Sequence, residues 1–107
     1  TKAKSLPSPG RSRLFTPSVR KTIVQVLRSG SYASVAARVA GISPNTFWRW
    51  IKRGREERRG PYRDFYREVQ MATAHPEALA VGIIHREMRN NWRAAMAYLE
   101  RKFPKRW

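Results

Sequence analysis

The side chains best suited to recognition chemistry sit together in residues 44–53, PNTFWRWIKR. Asn45 carries the paired donor and acceptor that match an adenine edge. Arg49 and Arg53 carry the planar fork that matches a guanine edge or a phosphate. Thr46 and Lys52 add a hydroxyl and an ammonium, and Trp48 adds a large amphipathic ring on the same side. A plain solvated helix face could carry the same residues, so the elements around them must decide. Elsewhere the chemistry is sparse. His75 and His85 stand ten residues apart with no cysteine or carboxylate at ligand spacing, which predicts packing or surface roles and no metal. Asp64 and Glu68 lie one turn apart, but Arg63 and Arg67 flank them, and i,i+4 ion pairing accounts for the set. With no Gly-rich phosphate loop and no nucleophile–base pair, the chain reads as neither an enzyme nor a cofactor carrier.

The stretch that must position these residues is 36–51, AARVAGISPNTFWRWI. Ala36, Ala37 and Ala40 make a small apolar face. Gly41 follows where a sharp turn needs positive φ. Ile42 plugs the angle, Ser43 is an N-cap, and Pro44 takes the first helical position, where its missing N–H costs nothing. Phe47, Trp50 and Ile51 then form one apolar stripe at i, i+3, i+4. Trp50 therefore belongs to the core, whereas Trp48 points away from it. The small residue, the glycine and the bulky apolar residue at 37, 41 and 47 have the spacing that resembles the helix-turn-helix DNA-binding motif. In that motif 44–53 is the recognition helix.

Composition points the same way. Among 107 residues, 23 Lys and Arg against 7 Asp and Glu leave a formal net charge of +16, an excess that suits a polyanionic partner. No apolar run approaches the ~18 residues of a membrane span, and no apolar h-region follows the basic start. The expectation is therefore no signal peptide and no membrane. The absence of cysteine removes disulfides and thiolate metal sites and fits a reducing cytoplasm.

Read in order, residues 1–15 are Pro-rich, acid-free and basic, with Lys2, Lys4, Arg11 and Arg13 spread along them. They predict a flexible arm, either laid along DNA phosphates or acting as a solubilising tail, with Leu14 and Phe15 stapled onto the first helix. Thr16-Pro17 opens a helix that ends at Ser29-Gly30. Ser31 caps a second, with Tyr32, Val35, Ala36 and Val39 inward, and 44–53 is the third. The charged 53–61 run, with Gly54 and Gly60, reads as a frayed end or hinge. From Pro61 the apolar residues again fall at helical spacing, with a kink or break expected at Pro76. A corner follows at Asn90-Asn91, then a last helix. The predicted fold is all-α: an arm over 1–15, a three-helix helix-turn-helix domain over 16–60, and a helical hairpin over 61–107. The long arm of that hairpin is apolar round more than half its surface, which calls for neighbouring copies. Phe65, Val69, Leu79, Ile83, Ile84, Met88, Trp92, Met96 and Leu99 are its expected oligomer contacts, in a ring larger than a dimer.

From Thr16 to Trp107 the chain resembles the terminase small subunits of phages and prophages. The resemblance lies in the helix-turn-helix, in SPNTFWRWIKRGREERRGPYRDFYREV, and in the ending NNWRAAMAYLERKFPKRW. It implies a subunit that binds double-stranded viral DNA in the host cytoplasm for genome packaging. It also implies assembly into a ring through the hairpin and a large terminase subunit with ATPase and nuclease activity as partner. Two features depart from the family: many members carry a longer C-terminal segment, and their hairpin helix is usually unbroken where Pro76 falls. A helix-turn-helix transcriptional regulator or transposase-type DNA-binding module remains the alternative.

Overall fold

The structure is a computed structural model that describes residues 13–107, so the expectations for Lys2, Lys4 and Arg11 lie outside the described residues. The described chain is all-α and contains five helices: α1 Pro17–Arg28, α2 Ala33–Val39, α3 Pro44–Glu56, α4 Pro61–Glu87 and α5 Trp92–Lys102.

Local signals set most of the ends. The Thr16 hydroxyl accepts the Val19 N–H at 3.2 Å, with Pro17 at the first turn of α1. The Ser43 hydroxyl accepts the Thr46 N–H at 3.1 Å, with Pro44 next. Both α1 and α2 close on a glycine at positive φ, Gly30 at 101° and Gly41 at 86°. At the second turn the Gly41 N–H bonds to the Arg38 carbonyl and the Ile42 N–H to the Ala37 carbonyl, each at 3.0 Å. That pair of bonds satisfies the last carbonyls of α2 and folds Ile42 back into the core. Asn91 caps α5, its Oδ1 accepting the N–H groups of Arg93 and Ala94.

The short α2 departs from expectation. Tyr32 occupies the cap position and makes no side-chain cap bond, so Ser31 is not the cap. Tyr32, Val35 and Val39 are exposed, while Ala36 and Ala37 are fully buried. A seven-residue helix that packs closely can turn only one narrow face inward, and the alanines, lacking bulk, occupy it.

A single core joins Phe15, Ile23, Leu27, Ile42, Phe47, Trp50 and Ile51 to Tyr62, Phe65, Val69 and Ala72 of α4. The core therefore runs across residue 60, the boundary the sequence suggested. Phe15 does more than staple α1. Its ring stacks on Tyr62 with centroids 3.9 Å apart and planes 6° off parallel, and it meets Trp50 and Phe65 edge-on. From the solvent side the Arg20 guanidinium covers it at 4.6 Å.

Gly54 is neither frayed nor a hinge. It is buried inside α3 where that helix meets α4, and a Cβ placed on it would lie 2.3 Å from the Tyr62 carbonyl oxygen and 2.6 Å from the Tyr66 Cβ. Beyond it, Arg63 donates from Nη1 to the Gly54 and Arg55 carbonyls at 3.3 and 3.4 Å and closes the end of α3. Arg63 is thus not paired with its acidic neighbours. Among the described residues the ion pair formed is Arg53–Glu57, while Asp64 and Glu68 face Arg20 and Lys21 across a shallow cleft between α1 and α4.

α4 runs as one helix through Pro76, so the chain does not break there. Its first half is clamped to the head by four buried side chains. Pro76 itself rests against the turn at Gly30, where an added Cβ would sit 3.7 Å from the proline ring. At 27 residues, α4 is about 40 Å long, and its second half leaves the head. α5 packs on α4 alone, through contacts that include His85 and Tyr98 with ring centroids 5.1 Å apart. The result is elongated, 68 × 25 × 19 Å with a radius of gyration of 19.0 Å, against about 13 Å for a compact chain of this length.

The close approach at Gly54 yields a paired stability prediction. Gly54→Ala should destabilise the protein by about 1–3 kcal/mol through overpacking, although alanine is the better helix former. Gly82→Ala, where the nearest neighbour is the flexible end of Arg86, should stabilise α4 by up to about 1 kcal/mol. Denaturant unfolding of both variants is the measurement, and a gain in stability at position 54 contradicts the contact.

Candidate nucleic-acid interface

α3 divides into two faces. Phe47, Trp50, Ile51 and Gly54 are buried on the side of α3 that packs against α2 and α4, whereas Asn45, Trp48, Arg49 and Lys52 are exposed. Arg55 continues the exposed row one turn beyond Lys52. It was absent from the expected contacts, yet its position three residues after Lys52 is the signal that finds it. This face carries Arg49, Lys52 and Arg55 with the single carboxylate Glu56. Trp48 stands 53% exposed, its ring edge-on to Phe47 at 4.9 Å, so it is not drawn into the core.

Two expected contacts lie elsewhere. Thr46 is buried, and its hydroxyl is engaged. It lies 3.0 Å from the Ser43 hydroxyl and accepts a hydrogen bond from Arg49 Nη2 at 3.1 Å. Thr46 is thus a support for Arg49 and not part of the outer surface, because one turn into α3 its direction falls beside the core stripe. Arg53 is half-buried. Its guanidinium covers the Tyr62 ring at 4.1 Å and pairs with Glu57, so it is held at the α3–α4 junction. Arg13 is exposed in the turn before α1.

The Ser43–Thr46–Arg49 row begins at a helix N-terminus, where free N–H groups and the dipole favour anions. One of the five Arg49 donors rests on Thr46, and the others remain available to an acceptor outside the protein. The outer face of α3 therefore presents a braced guanidinium, a primary amide, an ammonium and an aromatic ring.

Beside this face lies an open groove of about 500 Å³ between α1, α3 and α4, floored by Leu27, Phe47, Ile51 and Val69 and edged by Trp48, Tyr32, Arg55 and Glu77. It shares Trp48 and Arg55 with the α3 face, and Glu77 is the acid among its lining residues.

The expected oligomer contacts also separate. Phe65 and Val69 are 1% and 9% exposed and belong to the core of the single chain, because the first half of α4 serves as a wall of the head. Leu79, Ile83, Ile84 and Trp92 are exposed, and Met88, Met96 and Leu99 are half-buried between α4 and α5. Among the described residues no three His, Cys, Asp or Glu side chains gather as a metal site, and no helix is long and apolar enough to cross a membrane. Comparison with protein families, curated proteins and solved structures finds no match to the chain.

The two tryptophans of α3 test the division of its faces. Trp50→Ala should cost about 3–5 kcal/mol of stability as a core truncation. Trp48→Ala should change stability by no more than about 0.5 kcal/mol, as befits an exposed position. Chemical unfolding measures both, and equal losses contradict the assignment.

Proposed function

We propose that this protein binds double-stranded DNA through the outer face of α3, with α2, the Gly41 turn and α3 acting as a helix-turn-helix. The supporting observation is that face itself: Asn45, Trp48, Arg49, Lys52 and Arg55 project from a helix whose other side is locked into the core. The chain's net charge of +16 supplies the long-range attraction, since phosphate contacts contribute much of the affinity for DNA. Arg49, braced by Thr46, is the best placed reader of a guanine edge, and Lys52 and Arg55 serve the phosphates.

The biological setting rests on the sequence resemblance to phage terminase small subunits. In this reading the protein is a genome-packaging adaptor of the host cytoplasm, works as a ring larger than a dimer, and delivers DNA to a large ATPase and nuclease subunit. The uncovered apolar residues of the outer α4–α5 arm support assembly, and a ring would add weak contacts from many heads on one duplex. A dimeric regulator or transposase-type module on a palindromic site is the competing assignment, and native mass distinguishes it.

Three measurements test this. Duplex affinity should fall with salt at a logarithmic slope of about −0.9 per phosphate contacted, and a slope near zero rules out a phosphate-dominated interface. Arg49→Ala should weaken binding by about 1–3 kcal/mol and relax preference at one base position, whereas Arg89→Ala on the arm should leave preference unchanged. Thr46→Val should reproduce part of the Arg49→Ala loss, and Thr46→Ser should restore it. In native mass spectrometry a species larger than a dimer is expected; a clean monomer or dimer, on DNA as well as free, assigns the protein to the regulator class.

A further inference from the structure

The lysines and arginines of α4 and α5 are divided by a gap. Between Arg67 and Arg86 there is none, and the stretch carries Glu68 and Glu77 instead. Before the gap the cations belong to the head and include the α3 face. Beyond it, Arg101, Lys102, Lys105 and Arg106 are four exposed cations within six residues, with Glu100 the acid beside them. The dipole of α5 accounts for Arg101 and Lys102, which stand in its last turn. It does not account for Lys105 and Arg106, which lie past the helix.

These residues sit on a built turn. The Arg106 and Trp107 N–H groups donate to the Phe103 carbonyl at 3.0 and 3.2 Å. The Arg106 guanidinium lies 5.8 Å from the centroid of the Phe103 ring. Phe103 in turn meets Tyr98 edge-on at 6.4 Å, and Tyr98 meets His85 of α4 at 5.1 Å. This aromatic series ties the turn, and the cations on it, to α4.

The turn and the α3 face look in opposite directions. Helical residues advance about 100° each. His85 comes nine residues after Pro76, so the side of α4 that meets α5 is about 180° round from the side that meets the Gly30 turn of the head. On α3, Asn45 and Lys52 lie about 180° and 200° round from Gly54, the point pressed against α4. The order across the molecule is therefore the outer face of α3, then α4, then α5. Two helix-to-helix steps of about 8–10 Å each separate the outer helices. A duplex with a persistence length of about 50 nm does not fold back across that width.

We propose that the 101–107 turn is a second, sequence-blind contact for DNA phosphates, so that one chain bridges two duplex segments, one on α3 and one beside α5. The first segment rests on the DNA reading of α3 given above. Four cations against one acid suit a duplex, which repeats a negative charge about every 1.7 Å of its axis, and phosphate contacts of this kind carry no base preference.

A bridging assay tests this. One duplex is fixed to beads, and capture of a second, fluorescent duplex is measured after adding protein. The wild type should capture it. Lys105→Gln with Arg106→Gln should lose most of the capture, keep its site preference on a single duplex, and keep the native mass of the wild type. Arg28→Gln with Arg67→Gln removes the same charge from exposed positions outside both surfaces and should keep the capture. In an Arg49→Ala, Lys52→Ala background, the residual duplex binding should lose about 2 from its logarithmic salt slope when 105 and 106 are neutralised. Circular dichroism checks that each variant keeps its helices. Undiminished capture by the 105/106 variant overturns the proposal and assigns bridging to α3 faces of associated copies. An equal loss in the 28/67 control also overturns it, in favour of net charge alone. Phosphatidylglycerol vesicles that bind through 105 and 106 when duplex does not would assign the turn to a lipid surface instead. If capture depends on 105 and 106 but not on 49 and 52, the α3 reading fails and the turn stands; if the wild type binds no duplex, both fail.

Discussion

The Phe15–Tyr62 stack holds the molecule's two ends of logic together. A residue from before the first helix and a residue from the first turn of the fourth lie face to face, 3.9 Å between centroids. Trp50 and Phe65 close around Phe15 edge-on. Edge-on aromatic contacts of this kind add to the area they bury. Here they join the segment before α1 to α3 and α4 at one point. Without α4 the three shorter helices would leave Trp50 and Phe47 uncovered. The head is therefore a four-helix core in which the last wall is borrowed from the arm.

That borrowing sets the direction of α3. The helix is pressed so closely to α4 at Gly54 that no side chain fits between them, and Arg63 seals its final carbonyls. Arg53, the most C-terminal of the expected contacts, is turned into this junction by Tyr62 and Glu57. What remains outward is a narrower face than the residue types alone suggest, but a better ordered one. Arg49 has a hydrogen-bonding support at Thr46, which in turn touches Ser43. An arginine held this way loses less freedom when it meets an acceptor than one waving in solvent.

α4 also explains the elongated shape. One helix contributes to the head with its first half and carries α5 with its second, so any load on the arm is carried by the same backbone that positions α3. Continuity through Pro76 matters for this reason. A proline lacks the donor its turn requires, yet the ring rests against Gly30 in the α1–α2 turn, and the clamped residues before it fix the helix direction.

The sequence by itself determined where helices begin and end wherever a local group caps the backbone. Thr16, Ser43 and Asn91 accept amide hydrogens, Gly30 and Gly41 take up positive φ, and Pro17, Pro44 and Pro61 sit where no donor is missed. These are short-range effects, complete within four or five residues. It also determined the apolar stripe of α3 and so the outward direction of Asn45, Trp48, Arg49 and Lys52. Tertiary structure decided what lies against each stripe. Phe65 and Val69 have the types of an oligomer contact but are core, because α4 closes the head. Thr46 and Arg53 have the types of DNA contacts but face Arg49 and Tyr62. Val35 and Val39 are apolar yet exposed, because the two alanines pack closest. Hydrophobic periodicity says that a face must be covered, and only the arrangement of helices in space says by what.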